Sequence, residues 1–77
     1  MKMLEITTFR IEDHERKYCI SHINPSYVRE VLQSKEEMYA EIHFNDGSIR
    51  LTESPAYLVR IGLQDVSEAD KSFVILN

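Results

Sequence analysis

One dipeptide limits the fold of this chain more than any other feature: Asp46-Gly47, set between the alternating run Ala40, Ile42, Phe44 and the pair Ile49, Leu51. A period of two places side chains on one face of a strand, and Asp-Gly accepts the positive φ angles that a tight hairpin turn requires. Met38 to Thr52 is therefore expected to form a hairpin. A two-residue loop would set Phe44 opposite Ile49 and Ile42 opposite Leu51, with His43 beside Arg50 on the other face. A three-residue loop would oppose Ile42 to Arg50 and mix the faces, so the pattern favours the shorter loop. The face bearing Tyr39, Glu41, His43, Arg50 and Thr52 is then the candidate contact surface for a protein partner, its alternative being an ordinary solvated sheet face.

The remaining segments fit around this hairpin. Met3 to Ile11 carries Leu4, Ile6, Phe9 and Ile11 with two β-branched threonines and reads as a strand, with a change of phase between Ile6 and Phe9 that would suit a bulge. The polar stretch Glu12 to Arg16 connects it to a second strand, Lys17 to Asn24. On that strand Tyr18, Ile20 and His22 share one face and Cys19, Ser21 and Ile23 the other. Residues 25–33 are expected to be extended, although Asn24, Pro25 and the spacing of Tyr27, Val28, Val31 and Leu32 also suit a short helix.

Ser54 and Pro55 make a good helix start, Tyr57, Leu58 and Ile61 form an apolar stripe, and Gly62 suits a helix end. After the polar stretch Gln64 to Lys71, the run Phe73, Val74, Ile75 and Leu76 reads as a strand buried on both faces. An apolar strand of that kind leaves an edge to cover, so Phe73 to Leu76 is the expected oligomer interface and a homodimer the expected assembly. The fold class implied is α+β: a single domain over residues 1–77, with a small, strongly bent antiparallel sheet of about five strands and one short helix.

Composition narrows the function. Nine Lys and Arg against thirteen Asp and Glu give a net charge of -4, which opposes non-specific attraction to phosphate backbones and makes nucleic acid an unlikely partner. The mixed charges from Arg10 to Lys17 fit a solvated hairpin tip. No apolar run approaches the roughly 18 residues of a membrane helix, and Met1 to Glu5 lacks a signal-peptide pattern, so no membrane insertion and a cytoplasmic location are expected. One cysteine cannot staple a domain, and a chain of 77 residues buries only about 60% of its unfolded surface, which again favours a partner subunit.

The chemistry-bearing residues do not assemble into a catalytic signature. Cys19 and His22 are three apart on a strand and point to opposite faces, so Cys19 is expected to be a small buried hydrophobe rather than a nucleophile. His22 and His43 with Glu41 or Glu53 lack metal-site spacing, and His43 is expected to neighbour Arg50 instead. The pairs Glu12-Asp13 and Glu36-Glu37 lie in turns, without the burial that acid catalysis needs. Gly47 and Gly62 are isolated and make no phosphate loop. No enzymatic activity, no metal and no cofactor are expected.

The order Ile23-Asn24-Pro25, Tyr27-Val28, Val31, Ile42-His43-Phe44, Asp46-Gly47-Ser48 and Glu53-Ser54, followed by an amphipathic helix, resembles the small flagellar and swarming-motility proteins of the FlbD type across residues 22–61. That resemblance implies strands, a glycine turn and a terminal helix in a small regulatory protein. The letters His43, Asp46, Gly47 and Leu58 are also similar to the LytTR DNA-binding domain, which would imply nucleic-acid recognition, with Arg29, Arg50 and Arg60 as the available bases. The leading expectation is a small interaction or regulatory module that binds a protein partner. The alternatives are the LytTR-like nucleic-acid binder and an acidic inhibitor, as small phage-encoded proteins can be, that occupies a basic groove on its target.

Overall fold

The computed structural model describes residues 2–35 and 38–76, with side chains through Glu68. Strands β1 (Leu4–Glu12), β2 (Glu15–Ile23), β3 (Val28–Gln33), β4 (Ala40–Phe44) and β5 (Ile49–Thr52) form one antiparallel sheet in the order β2-β1-β5-β4-β3, followed by one helix, α1 (Ala56–Leu76). The class is α+β, as expected. The sheet is open, with β2 and β3 at its two edges.

The first hairpin is tighter and longer than its sequence suggested. Its turn is Asp13-His14 alone, with φ values of 53° and 65°, and the ladder runs unbroken from Leu4 opposite Ile23 to Glu12 opposite Glu15. Two consecutive positive φ angles define the type I′ turn that matches the strand twist, and Asp and His adopt them more readily than most residues. No bulge interrupts β1 against β2. The phase change at Phe9 arises because both faces are covered there: Thr8 is buried beneath the helix side and Phe9 on the opposite face.

The second hairpin departs from the expected register. Asn45, Asp46 and Gly47 form a three-residue loop, with the Phe44 amide donating to the Ser48 carbonyl at 2.9 Å and the Gly47 amide to the Phe44 carbonyl at 3.0 Å. Ile42 therefore faces Arg50 and His43 faces Ile49. Loop chemistry outweighs face matching here. Gly47 alone takes positive φ, +90°, while the Asp46 carboxylate accepts from the Ser48 amide at 2.8 Å and its hydroxyl at 2.6 Å. That combination is a type I turn closed by a left-handed glycine. The mixed face is tolerable because Arg50 is exposed and its guanidinium lies 5.8 Å from the Phe44 ring, while the Thr52 hydroxyl donates to the Thr7 carbonyl at 2.8 Å.

Between β2 and β3 both readings of the sequence are realised in part. The Asn24 side chain accepts from the Ser26 amide at 3.0 Å and caps one 3-10 turn, Pro25–Tyr27, after which the chain extends into β3.

The helix is not short. It passes through Gly62 and continues to Leu76, so the expected strand at Phe73, Val74, Ile75 and Leu76 is overturned: their backbone is helical. No proline or glycine follows Gly62 to stop the helix, and Gln64 donates to Glu68 one turn on at 3.2 Å. Its start falls where Ser54 and Pro55 placed it, but the capping group is a different one. The Ala56 amide is capped by the Gln33 side chain of β3 at 2.8 Å, with the Leu58 and Val59 amides donating to the Pro55 carbonyl. One face of α1 packs on the sheet through Ala56, Val59 and Leu63, which join Ile23, Val31, Ala40 and Ile42 in the core; Leu4, Ile6, Val28 and Phe44 border it.

Candidate partner-binding face

Alternation along each strand divides the sheet into a helix-covered face and an outer face. Phe9 pairs with both Tyr18 and Leu51, Leu51 with Glu41, and Glu41 with Leu32, so these five residues form one row across the outer face. Two positions along β1 and β5 from the Phe9 and Leu51 pair, the antiparallel register brings Ile11 beside Ile49. Ile20 lies on the same face of β2, next to Tyr18. Ile11, Tyr18, Ile20, Leu32 and Ile49 are all exposed, Ile20 retaining 65% of its accessible surface.

At the centre of this face lies a small packed cluster separate from the main core. Phe9 is only 5% exposed although, among the described residues, it lies outside the core that the helix packs against. Its ring meets Tyr39 edge-on at 5.8 Å and Tyr18 tilted at 5.9 Å, and the Arg16 guanidinium lies 4.4 Å above its centroid. Glu53 holds this cover in place by accepting from Arg16 at 2.7 Å and from the Tyr18 hydroxyl at 2.9 Å. The bond to Glu53 is the main reason the Tyr18 phenol is raised above its ordinary pKa. The cluster builds an aromatic platform with exposed aliphatic residues around it.

Of the residues nominated from sequence, Tyr39, Glu41 and His43 do lie on the outer face, His43 bonded to Glu41 at 2.9 Å. Arg50 and Thr52 do not, because the three-residue loop turns them to the helix-covered face, where Thr52 is buried. His43 consequently neighbours Ile49 rather than Arg50. The oligomer interface nominated at Phe73 to Leu76 has a helical backbone, and its side chains lie outside the described residues. The sequence reading missed Phe9, Arg16 and Glu53, which are 37 positions apart across the Arg16 and Glu53 pair and carry no local spacing signal.

Cys19 is exposed rather than buried. The Thr8 hydroxyl, 3.5 Å from its sulfur, is the main influence lowering the thiol pKa; burial opposes it, and Ser21, Arg10 and Arg50 assist. His22 instead meets Glu5 at 3.3 Å, so thiol and imidazole have separate partners. The Asp46 carboxyl is held below its ordinary range, first by the Ser48 hydroxyl and then by its amide, a loop-building role. Glu12 is paired with Arg10 at 2.9 Å at the exposed hairpin tip, whereas Glu36 and Glu37 lie outside the described residues. Among the described residues, no three His, Cys, Asp or Glu side chains gather as a metal site, and no helix is long and apolar enough to cross a membrane. A solvent-open cleft of about 530 Å³ lies between Ile23, Tyr27, Phe44 and Arg50. No protein family, curated protein or solved structure matches this chain.

Proposed function

We propose that this chain is a small non-enzymatic binding module whose outer sheet face receives a protein partner. The observation that carries the reading is the grouping of Ile11, Tyr18, Ile20, Leu32 and Ile49, all exposed, around the Phe9 platform on the face opposite the helix. Grouped apolar residues of this kind on a small domain favour recognition of a protein surface, and the aromatic centre supplies area without large entropy loss. The passage from one sheet edge to the other in four residues, Asn24 to Tyr27, supports the strongly bent sheet read from the sequence. The net charge of -4 favours a protein partner over a nucleic acid.

The test is affinity capture from the cells that make the protein, with wild type beside the double variant Ile11→Glu, Ile49→Glu, circular dichroism confirming that both are folded. Proteins retained by wild type and lost by the variant are expected. Identical sets from the two would reject the face, and retention abolished by nuclease would replace it with the nucleic-acid reading.

A further inference from the structure

The two edges of the sheet are built differently. β3 is six residues long, carries a bulge between Val28 and Glu30, lies against the helix, and has the Val31 carbonyl capped by the Arg60 guanidinium at 2.6 Å. The Ser34 amide bonds the Tyr39 carbonyl, so alternation along that ladder turns the Val31 backbone away from β4 and onto the open side of β3. Short length, a bulge and a covering charge are the means by which sheet edges are kept from pairing. β2 has neither the short length nor the bulge, and its charges, Glu15, Arg16 and Lys17, sit at one end of the strand only. It is nine residues long and without a bulge, and among the described residues no side chain caps the backbone of Arg16, Tyr18, Ile20 or His22.

Those four residues are the ones whose backbone groups face outward. Glu12 and Glu15 close the two-residue turn as a hydrogen-bonded pair, and alternation from there points Lys17, Cys19 and Ser21 inward to β1 and the other four away from it. We infer that β2 is a docking edge for a second copy of this chain, paired antiparallel about a two-fold axis at Cys19, the middle residue of the strand. This inference is independent of what the outer face binds.

The sequence of β2 is complementary to itself in that register alone among its neighbours. Tyr18 faces Ile20 of the second copy and Arg16 faces His22, so all four outward-facing backbone positions of each copy are paired. Shifting the axis to Tyr18 or Ile20 leaves one of the four unpaired on each copy. The exposed pair Tyr18 and Ile20 is covered by its own counterpart. No like-charged Arg, Lys, Asp or Glu meet: Glu15 faces Ile23, Lys17 faces Ser21, each arriving Arg16 comes beside His22, whose partner is Glu5 at 3.3 Å, and the two Cys19 thiols meet at the axis. An isologous contact of this form closes on itself and extends no further, because β3 is blocked. The assembly is a ten-stranded sheet with two outer faces side by side.

Sedimentation equilibrium on the full chain tests the pairing, with the register read from crosslinks. The expected result is a concentration-dependent shift from 9.0 kDa to twice that mass. Ile20→Lys should weaken it by about tenfold or more, since a charged side chain on the docking edge would replace the apolar partner of Tyr18 of the second copy. Ile20 is exposed, so this variant keeps its fold and circular dichroism checks it. In a Cys19→Ser background, a mixture of Lys17→Cys and Ser21→Cys chains treated with copper phenanthroline in air should give a mixed disulfide dimer, because these positions face each other. A mass of 9.0 kDa at every concentration overturns the inference. So does a dimer indifferent to Ile20→Lys, or one that crosslinks equally well in each single-variant solution and in the mixture.

Discussion

Thr8 has one hydroxyl proton and two neighbours that compete for it, the Cys19 sulfur at 3.5 Å and the Ser21 oxygen at 2.6 Å. When Cys19 is a thiolate the competition resolves in one direction: Thr8 donates to sulfur and accepts from Ser21. At concentrations low enough to keep the chain monomeric, the rate of iodoacetamide alkylation should therefore rise with pH about a midpoint below that of a free thiol, and Thr8→Val should move the midpoint upward. An unchanged midpoint in Thr8→Val would remove Thr8 as the cause. Since the folded value lies below the unfolded one, the thiolate adds stability above the unfolded pKa and loses that contribution as pH falls through the folded value. None of this was legible in the sequence. Cysteine alone reads as a small hydrophobe, and the exposure of Cys19 is a matter of tertiary packing that local spacing does not carry.

Among the elements, strands and turns were legible where a local pattern determines them. The hairpin around Asp46-Gly47 follows from alternation and the extended β3 from its β-branched and aromatic residues, against an apolar spacing that also suits a helix, whereas the hairpin's register was set by the Asp46 and Ser48 bonds within the loop, which no count of apolar residues contains. The helix was recognisable at its start and misjudged at its end, because Gly62 serves close packing there instead of termination. A Cβ on Gly62 would lie 3.2 Å from the Leu4 Cδ1. The opposing effects can be weighed. Alanine gains about 0.8–1.0 kcal/mol of helix propensity over glycine, and the crowding falls on the tip of a half-buried, flexible leucine near the strand start. Gly62→Ala should accordingly raise stability by about 0.5 kcal/mol, measured as a higher urea midpoint. A lowered midpoint would mean that Leu4 cannot yield.

For the molecule as a whole, the sheet is packed on both sides, by α1 on one and by the Phe9 cluster on the other. A domain of this size derives roughly 3–5 kcal/mol from a single core, so the second cluster is a large fraction of its stability. Phe9→Ala should cost about 3 kcal/mol or more in urea unfolding, while Ile20→Ala on the same face should cost well under 1 kcal/mol. Equal losses would show that the cover over Phe9 contributes nothing. The class and the five strands of the sheet were readable because they rest on local patterns, while the further strand expected at Phe73 to Leu76 is helical; the double-sided packing was not readable, because Arg16 and Glu53 meet only after the sheet has formed. The same long-range pairing orders events in time. The β1–β2 and β4–β5 hairpins connect neighbours in sequence and can form within about 1–10 μs. The seam between them, Phe9 against Leu51, joins residues 42 positions apart, so closing it carries the larger loop entropy. Refolding should therefore be limited by that seam, with both hairpins preformed in the transition state and the Arg16 clasp on Glu53 fastening afterwards.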